Sequence, residues 1–111
     1  MFDIYKKTVQ ILRKKLPPAF PVSVKRVAMK GKDGYCTKKN DKFHIRINNS
    51  LDEAQSIDAL LHEWAHARSW SHLHDSLEGD DFEEVIHNAA WGVAYSEVYR
   101  VYIDFLKINN M

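Results

Sequence analysis

The spacing of apolar residues changes twice along this chain, and this limits the fold more than any other feature. Between Phe2 and Leu16 apolar residues recur every three or four positions, which is typical of one face of a helix. Pro17 and Pro18 end this segment. Across residues 22–47 the period is two, as in β-strands, and after residue 51 it returns to three or four. We therefore expect an α+β fold: an N-terminal helix, a small three-stranded antiparallel sheet, a second helix and a long C-terminal helix.

Three strands are expected where apolar or β-branched residues alternate with polar ones. Two turn segments, residues 31–34 and residues 40–41, separate the strands, because glycine, asparagine and aspartate favour turns. Three strands joined by such turns are expected to form an antiparallel sheet. The alternating residues are Val22 and Val24, then Tyr35 and Thr37, then Phe43, Ile45 and Ile47.

Length, cysteine content and hydropathy limit the class of protein. The 111 residues, 45% of them apolar, suit a single domain over residues 1–111. The one cysteine, Cys36, excludes a disulfide within the chain, and we expect it to be a packing residue. There is no run of about 18 apolar residues that would span a membrane, and charges within the first seven residues argue against a signal peptide. We expect a cytoplasmic protein without a membrane partner; no feature predicts its oligomeric state.

Charge is distributed unevenly along the chain. The net charge is +1, but residues 1–50 carry a net +10 and residues 51–111 a net −9. The two halves can pack together and neutralise each other, or the basic half can form a face that binds nucleic acid or an acidic protein. Any nucleic-acid binding is therefore expected to be weak, sequence-independent and strongly reduced by salt.

The second helix carries a pattern typical of metal sites. Ser50 and Glu53 have the spacing of a capping box, and a helix is expected from about residue 51 to residue 70. Residues 62–66 are His-Glu-Trp-Ala-His, the zincin signature. Histidines four apart on a helix differ by about 40° in direction and about 6 Å in height, so both imidazoles can bind one ion. We expect His62 and His66 to bind one zinc ion per chain and Glu63 to act as the catalytic base.

The same three residues could instead form a polar stripe on a surface helix. In that case Glu63 would serve only in an ion pair with Arg68. Leucine, tryptophan and alanine neighbours surround the stripe, however, which indicates that the helix is buried over much of its circumference. A buried carboxylate between two imidazoles needs a partner, and a cation supplies it.

A catalytic zinc site needs a third protein ligand, and the residues leave several candidates. His72 has the position of the last metzincin ligand, but Ser69 replaces the glycine of that pattern. His87 falls on the predicted last helix, one turn before Trp91 and on a stripe that continues to Tyr95. The remaining candidates are His74, Asp75, Glu83 and Glu84.

Three segments together resemble the SprT-like zinc metallopeptidases. They are the strand at residues 43–48 (Phe-His-Ile-Arg-Ile-Asn), the helix at residues 60–66 (Leu-Leu-His-Glu-Trp-Ala-His) and residues 87–92 (His-Asn-Ala-Ala-Trp-Gly). The resemblance covers roughly residues 40 to 105 and is to small stand-alone members encoded by bacteria or phages, since no cysteine-rich zinc ribbon follows the core. It implies a metalloendopeptidase in which His62, His66 and His87 are the zinc ligands and Glu63 is the base.

The function expected from these observations is hydrolysis of peptide bonds in protein or peptide substrates by zinc-activated water. The oxyanion would need a second donor, and a strand edge within residues 43–48 is expected to hold an extended peptide. The alternative is a non-catalytic zinc-binding interaction or regulatory module, associated with nucleic acid. Glu63 argues against it, because a structural zinc site needs no base. The candidate oxyanion donors are Tyr95, Tyr99, His72 and His74.

Overall fold

The fold is α+β, as the sequence predicts, and its elements follow the expected order. The structure is a computed structural model that describes residues 2–70 and 89–108. No helix in these two ranges has the length and apolar character needed to cross a membrane. The elements are α1 (Asp3–Lys15), β1 (Val22–Val27), β2 (Gly34–Lys38), β3 (Phe43–Asn48), α2 (Glu53–Arg68) and α3 (Ala89–Ile108).

The three-stranded sheet is mixed, so the expectation of an antiparallel sheet is wrong. The central strand is β3, which runs parallel to β1, with Val22 opposite Phe43, and antiparallel to β2. Only the β2–β3 pair is the expected hairpin. Its two-residue turn is formed by Asn40 and Asp41, whose φ angles are 54° and 55°, as a type I′ turn requires.

The side chain of Asn48 stabilises the observed strand order, in which β1 pairs with β3 rather than with the next strand in sequence. Its buried amide group donates hydrogen bonds to the carbonyl oxygens of Met29 (3.3 Å) and Lys32 (2.9 Å), both in the loop between β1 and β2. Its Oδ1 accepts hydrogen bonds from the backbone N–H (3.0 Å) and the hydroxyl (2.9 Å) of Ser50. The loop is thereby held across the carboxyl end of β3, and β2 adds on the side of β3 opposite to β1.

The start of α2 differs from the expected capping box. Asp52 is the N-cap: its carboxylate accepts from the Gln55 N–H (2.8 Å), and its own N–H donates to the Gln55 side chain (3.2 Å). Ser50 is already bonded within the preceding turn, and the Glu53 carboxylate accepts from the N–H groups of residues 4 and 5 (3.1 and 3.2 Å). Glu53 therefore caps α1, which has no cap of its own, and joins the two helices.

One face of the sheet and one face of α2 form the core. The core-facing side chains of β3 are at most 1% exposed, and those of α2 are similarly covered. Trp64 also donates from its indole Nε1 to the Leu16 carbonyl oxygen (2.9 Å), which attaches α2 to the end of α1. These contacts fix the second helix against the sheet along its length. The fully buried large side chains of the two elements are Phe43, Ile45, Ile47, Leu60, Leu61 and Trp64.

Candidate metal centre

His62 and His66 lie one helical turn apart on α2, with their imidazoles side by side. Their Nε2 atoms are 3.1 Å apart and their ring centroids 4.7 Å apart. His66 is 4% exposed, Glu63 is 7% exposed and His62 is half-buried. The four-residue spacing therefore brings two ring nitrogens together beside a buried carboxylate.

The donor set formed by these three side chains suits a zinc ion. One ligand atom from each of His62, Glu63 and His66 lies within 4.8 Å of the other two. Two nitrogens bound to zinc at its usual distance and in tetrahedral geometry are about 3.3 Å apart, close to the 3.1 Å between the two Nε2 atoms. Imidazole and carboxylate are also ligand types that zinc accepts.

Glu63 lies next to Gly34, the first residue of β2, and the close approach of β2 to β3 at this point requires a glycine. A Cβ at Gly34 would be 3.6 Å from Cγ of Glu63 and only 2.8 Å from the carbonyl oxygen of Arg46. A side chain at position 34 would therefore force β2 away from β3. Burial, and secondly the Glu63 carboxylate, raise the pKa of the Cys36 thiol, so the thiol stays protonated at neutral pH.

Helix α3 supplies an aromatic wall to the site. The Trp91 ring centroid is 5.1 Å from that of His62 and 5.5 Å from that of His66. Trp91 stacks on Tyr95 at 5.0 Å, and Tyr95 stacks on Tyr99 at 6.2 Å. The aromatic stripe that the sequence places on the last helix therefore begins at the histidine pair and leads away from it.

Tyr95 and Tyr99, two of the candidate oxyanion donors, line the same cavity as His62 and Glu63. The Tyr95 ring centroid is 6.5 Å from that of His62, and Tyr99 lies one turn farther along α3. Burial, and then the charges of Asp58 and Tyr99, raise the pKa of Tyr95. Its hydroxyl is therefore protonated at neutral pH and can donate a hydrogen bond.

The cavity beside the histidines has a volume of about 790 Å³. It is formed by the loop before β2, the middle of α2 and the aromatic side of α3. Sequence reasoning missed Gly34 and Asp58. Asp58 could have been found, because it lies four residues before His62 and so on the same helical face. The lining residues are Gly31, Lys32, Asp33, Gly34, Asp58, Ala59, His62, Glu63, Tyr95 and Tyr99.

The candidates for the third ligand lie outside the residues that the structure describes. Among residues 2–70 and 89–108, the group able to hold a metal contains only His62, Glu63 and His66. His87 therefore stays a prediction. The other candidates outside the described residues are His72, His74, Asp75, Glu83 and Glu84.

The segment at residues 43–48 is not a free sheet edge, so that expectation is wrong. It forms β3, the central strand, which pairs on both sides. The edge strand beside the cavity is β2, whose first residue, Gly34, lines the cavity together with Glu63. A peptide that extends the sheet next to the histidines would pair with β2.

Comparison of the chain with known protein families, with curated proteins and with solved structures found no match. The resemblance to the SprT-like metallopeptidases thus stays a prediction. It rests on the sequence segments that carry it, and the geometry of His62, Glu63 and His66 is compatible with it.

Proposed function

We propose that this chain is a zinc-dependent endopeptidase of the SprT-like type that hydrolyses peptide bonds of protein substrates. The observation that carries the proposal is the 3.1 Å separation of the His62 and His66 Nε2 atoms beside the buried carboxylate of Glu63. Structural zinc sites are closed by four side chains and need no neighbouring base. A carboxylate that borders both the histidine pair and a cavity of about 790 Å³ instead suits a general base acting on water.

The chain's own residues have separate tasks in this mechanism. Zinc, when bound by His62 and His66, supplies Lewis acidity that lowers the pKa of water to about 7 and polarises the scissile carbonyl. Glu63 takes a proton from the attacking water and returns it to the nitrogen of the leaving amine, so the products are a carboxylic acid and an amine. The Tyr95 hydroxyl donates a hydrogen bond to the developing oxyanion.

The substrate and the location belong to the same proposal. An extended peptide would pair with the outer edge of β2, because among the described strands β2 pairs with β3 alone and Gly34 opens this edge onto the cavity. We propose a cytoplasmic location because the single cysteine, Cys36, is free and the chain has no second cysteine with which to form a disulfide, as is common in a reducing compartment.

The direct test measures zinc content, thermal stability and peptide hydrolysis on the same protein. The purified protein is expected to hold about one zinc ion per chain, to melt at a lower temperature once chelated, and to cleave an unfolded protein only when zinc is restored. Metal analysis, thermal melting and gel-based proteolysis measure these three results. A protein that takes up no zinc and keeps its melting temperature would contradict the metal site. Zinc binding without cleavage would contradict the proposed peptidase activity but not the proposed metal site.

Trp91 offers an optical readout of the same site. Because its ring lies 5.1 and 5.5 Å from the two imidazoles, a quenching ion such as Cu²⁺, which binds nitrogen ligands strongly, should lower its fluorescence when it occupies the site. Trp91→Phe, which keeps an aromatic ring there and leaves Trp64 and Trp70 in place, is the control in which the quenching should be smaller.

A second candidate function is a nucleic-acid-associated zinc module, and the outer face of the sheet favours it. This face, opposite the core, presents alternate residues of the three strands and contains no carboxylate among them. Lys32 adds a further cation, with Nζ 5.6 Å from the Tyr35 ring centroid, and Tyr35 is 37% exposed. Cations around an exposed aromatic ring suit phosphates and bases. The alternate residues are Ser23, Lys25, Val27, Tyr35, Thr37, His44, Arg46 and Asn48.

Binding to a single-stranded oligonucleotide is expected to be weak and to fall steeply with salt, because phosphate contacts release counterions. Lys25→Gln should reduce the salt slope by about one unit, whereas Lys107→Gln, on the exposed end of α3, should leave it unchanged. Fluorescence anisotropy between 25 and 300 mM salt measures both. Equal slopes for the two variants, or no binding at low salt, would reject this surface.

A further inference from the structure

Asp58 is a carboxylate in the cavity with no role in the proposed mechanism. It lies one turn before His62 on α2 and lines the cavity together with Tyr95 and Tyr99. It is exposed, and among residues 2–70 and 89–108 no lysine, arginine or histidine forms an ion pair with it. Its negative charge is therefore available to a ligand.

The tyrosines opposite Asp58 form a continuous aromatic surface. The Tyr95 and Tyr99 rings are stacked, with centroids 6.2 Å apart and planes 25° apart. Tyr102 continues the series, with its centroid 6.3 Å from that of Tyr99. Burial is the main cause that raises the pKa of Tyr95 and of Tyr102, and the charge of Asp58 is the next. The carboxylate thus lies within electrostatic range of these rings.

The cavity wall is acidic next to these rings. Asp33, Asp58 and Glu63 line it, whereas the only lysine or arginine among its described lining residues is Lys32. The Lys32 ammonium lies 5.6 Å from the Tyr35 ring, a ring on the outer face of the sheet. A carboxylate beside aromatic faces is the combination that binds ammonium and guanidinium groups, through ion pairing and cation–π attraction.

We propose that Asp58, Tyr95 and Tyr99 form a subsite for a lysine or arginine side chain of the substrate. The inference rests on the proposed peptidase function, which brings a peptide into this cavity. Asp58 is displaced from His62 by about 6 Å along α2, and an extended peptide advances about 3.3 Å per residue. The basic side chain would therefore lie within about two residues of the scissile bond.

The subsite is tested by the ratio of kcat/KM for a peptide with lysine to kcat/KM for the same peptide with norleucine. Peptides that differ only in lysine, arginine, norleucine or glutamate at the two positions on each side of the scissile bond are assayed for kcat/KM with the zinc-loaded protein. The lysine-to-norleucine ratio is expected to fall about two- to fivefold in Asp58→Asn, because the change removes one solvent-exposed ion pair and keeps the aromatic rings. Asp104→Asn, which removes an exposed carboxylate from α3 outside this cavity, should keep the wild-type ratio.

A binding measurement separates this proposal from the proposed function. Zinc-loaded Glu63→Gln and the double variant Glu63→Gln with Asp58→Asn are titrated with the lysine and norleucine peptides. Hydrolysis with no preference that depends on Asp58 would overturn the subsite and keep the peptidase. Lysine-selective binding that Asp58→Asn removes, without hydrolysis by the wild type, would support the subsite and reject the peptidase. Equal binding of the two peptides to both variants would also overturn the subsite.

Discussion

Glu63→Gln is expected to keep its zinc and its fold and to lose peptide hydrolysis by about 10²- to 10⁴-fold, the usual contribution of a general acid or base. Glutamine has nearly the shape of glutamate, but its amide cannot accept the proton of the attacking water. The change also removes a negative charge from a side chain that is only 7% exposed, so no loss of stability is expected.

The measurement compares cleavage of an unfolded protein, zinc content and melting temperature in the variant and the wild type. Glu97→Gln is the matched control, because it removes a carboxylate that pairs with Arg68 at 3.7 Å and lies outside the cavity. Wild-type cleavage by Glu63→Gln would show that Glu63 is not the base. Loss of zinc together with activity would show instead that Glu63 is a metal ligand.

The sequence predicts the part of the site that lies on a single helix. The relative position of His62, Glu63 and His66 depends only on helical spacing, and the apolar period of residues 51–68 is enough to predict that helix. Trp91 and Tyr95 obey the same local rule, so their shared face was also predictable. Which surface this face contacts depends on how two helices pack, and no local pattern contains that information.

The sheet shows which feature local patterns do not predict, namely the order of the strands. Alternation predicts the three strands, because a period of two needs only neighbouring residues. Their order is stabilised by long-range contacts such as those of the buried Asn48 amide, which holds the loop at Met29 and Lys32 across the end of β3. A polar residue at the end of a strand gives no sign of such partners, which lie 19 and 16 positions away in sequence.

The start of α2 was mispredicted for a related reason. Ser50 and Glu53 have the spacing of a capping box, and so do Asp52 and Gln55. The second pair forms the box because Glu53 is used by the N-terminus of α1, 48 and 49 positions away in sequence. When two local solutions are equivalent, a long-range partner decides between them.

His87→Ala is expected to lower zinc affinity by more than about 100-fold, because loss of an outer partner of a metal ligand alone typically costs about 10- to 100-fold. His72→Ala is expected to leave the affinity nearly unchanged, since the metzincin spacing that would make it a ligand has Ser69 in place of glycine. Competition with a chromogenic chelator of known zinc affinity measures both variants.

The described part of α3 and the sequence before it both favour His87 as the third ligand. Trp91 lies four residues after His87, and its ring contacts both imidazoles of the zinc pair, at 5.1 and 5.5 Å. Residues four apart on a helix share one face, and the sequence predicts that the last helix extends through residue 87. That spacing predicts that position 87 faces the two histidines, as the SprT-like resemblance also implies.

A control variant, Trp91→Ala, distinguishes the loss of a metal ligand from the loss of the aromatic ring beside the histidines. Trp91→Ala removes the ring beside both histidines but no ligand, so its zinc affinity should fall by at most about 10- to 100-fold, less than in His87→Ala.

If His72→Ala abolished zinc uptake while His87→Ala bound normally, the SprT-like assignment would fail together with the ligand, because the resemblance depends on residues 87–92. If neither change weakened binding, His87 would also be rejected, and the carboxylates Glu83 and Glu84 would be the next ligands to test, since two histidines and a glutamate are another ligand set of catalytic zinc sites.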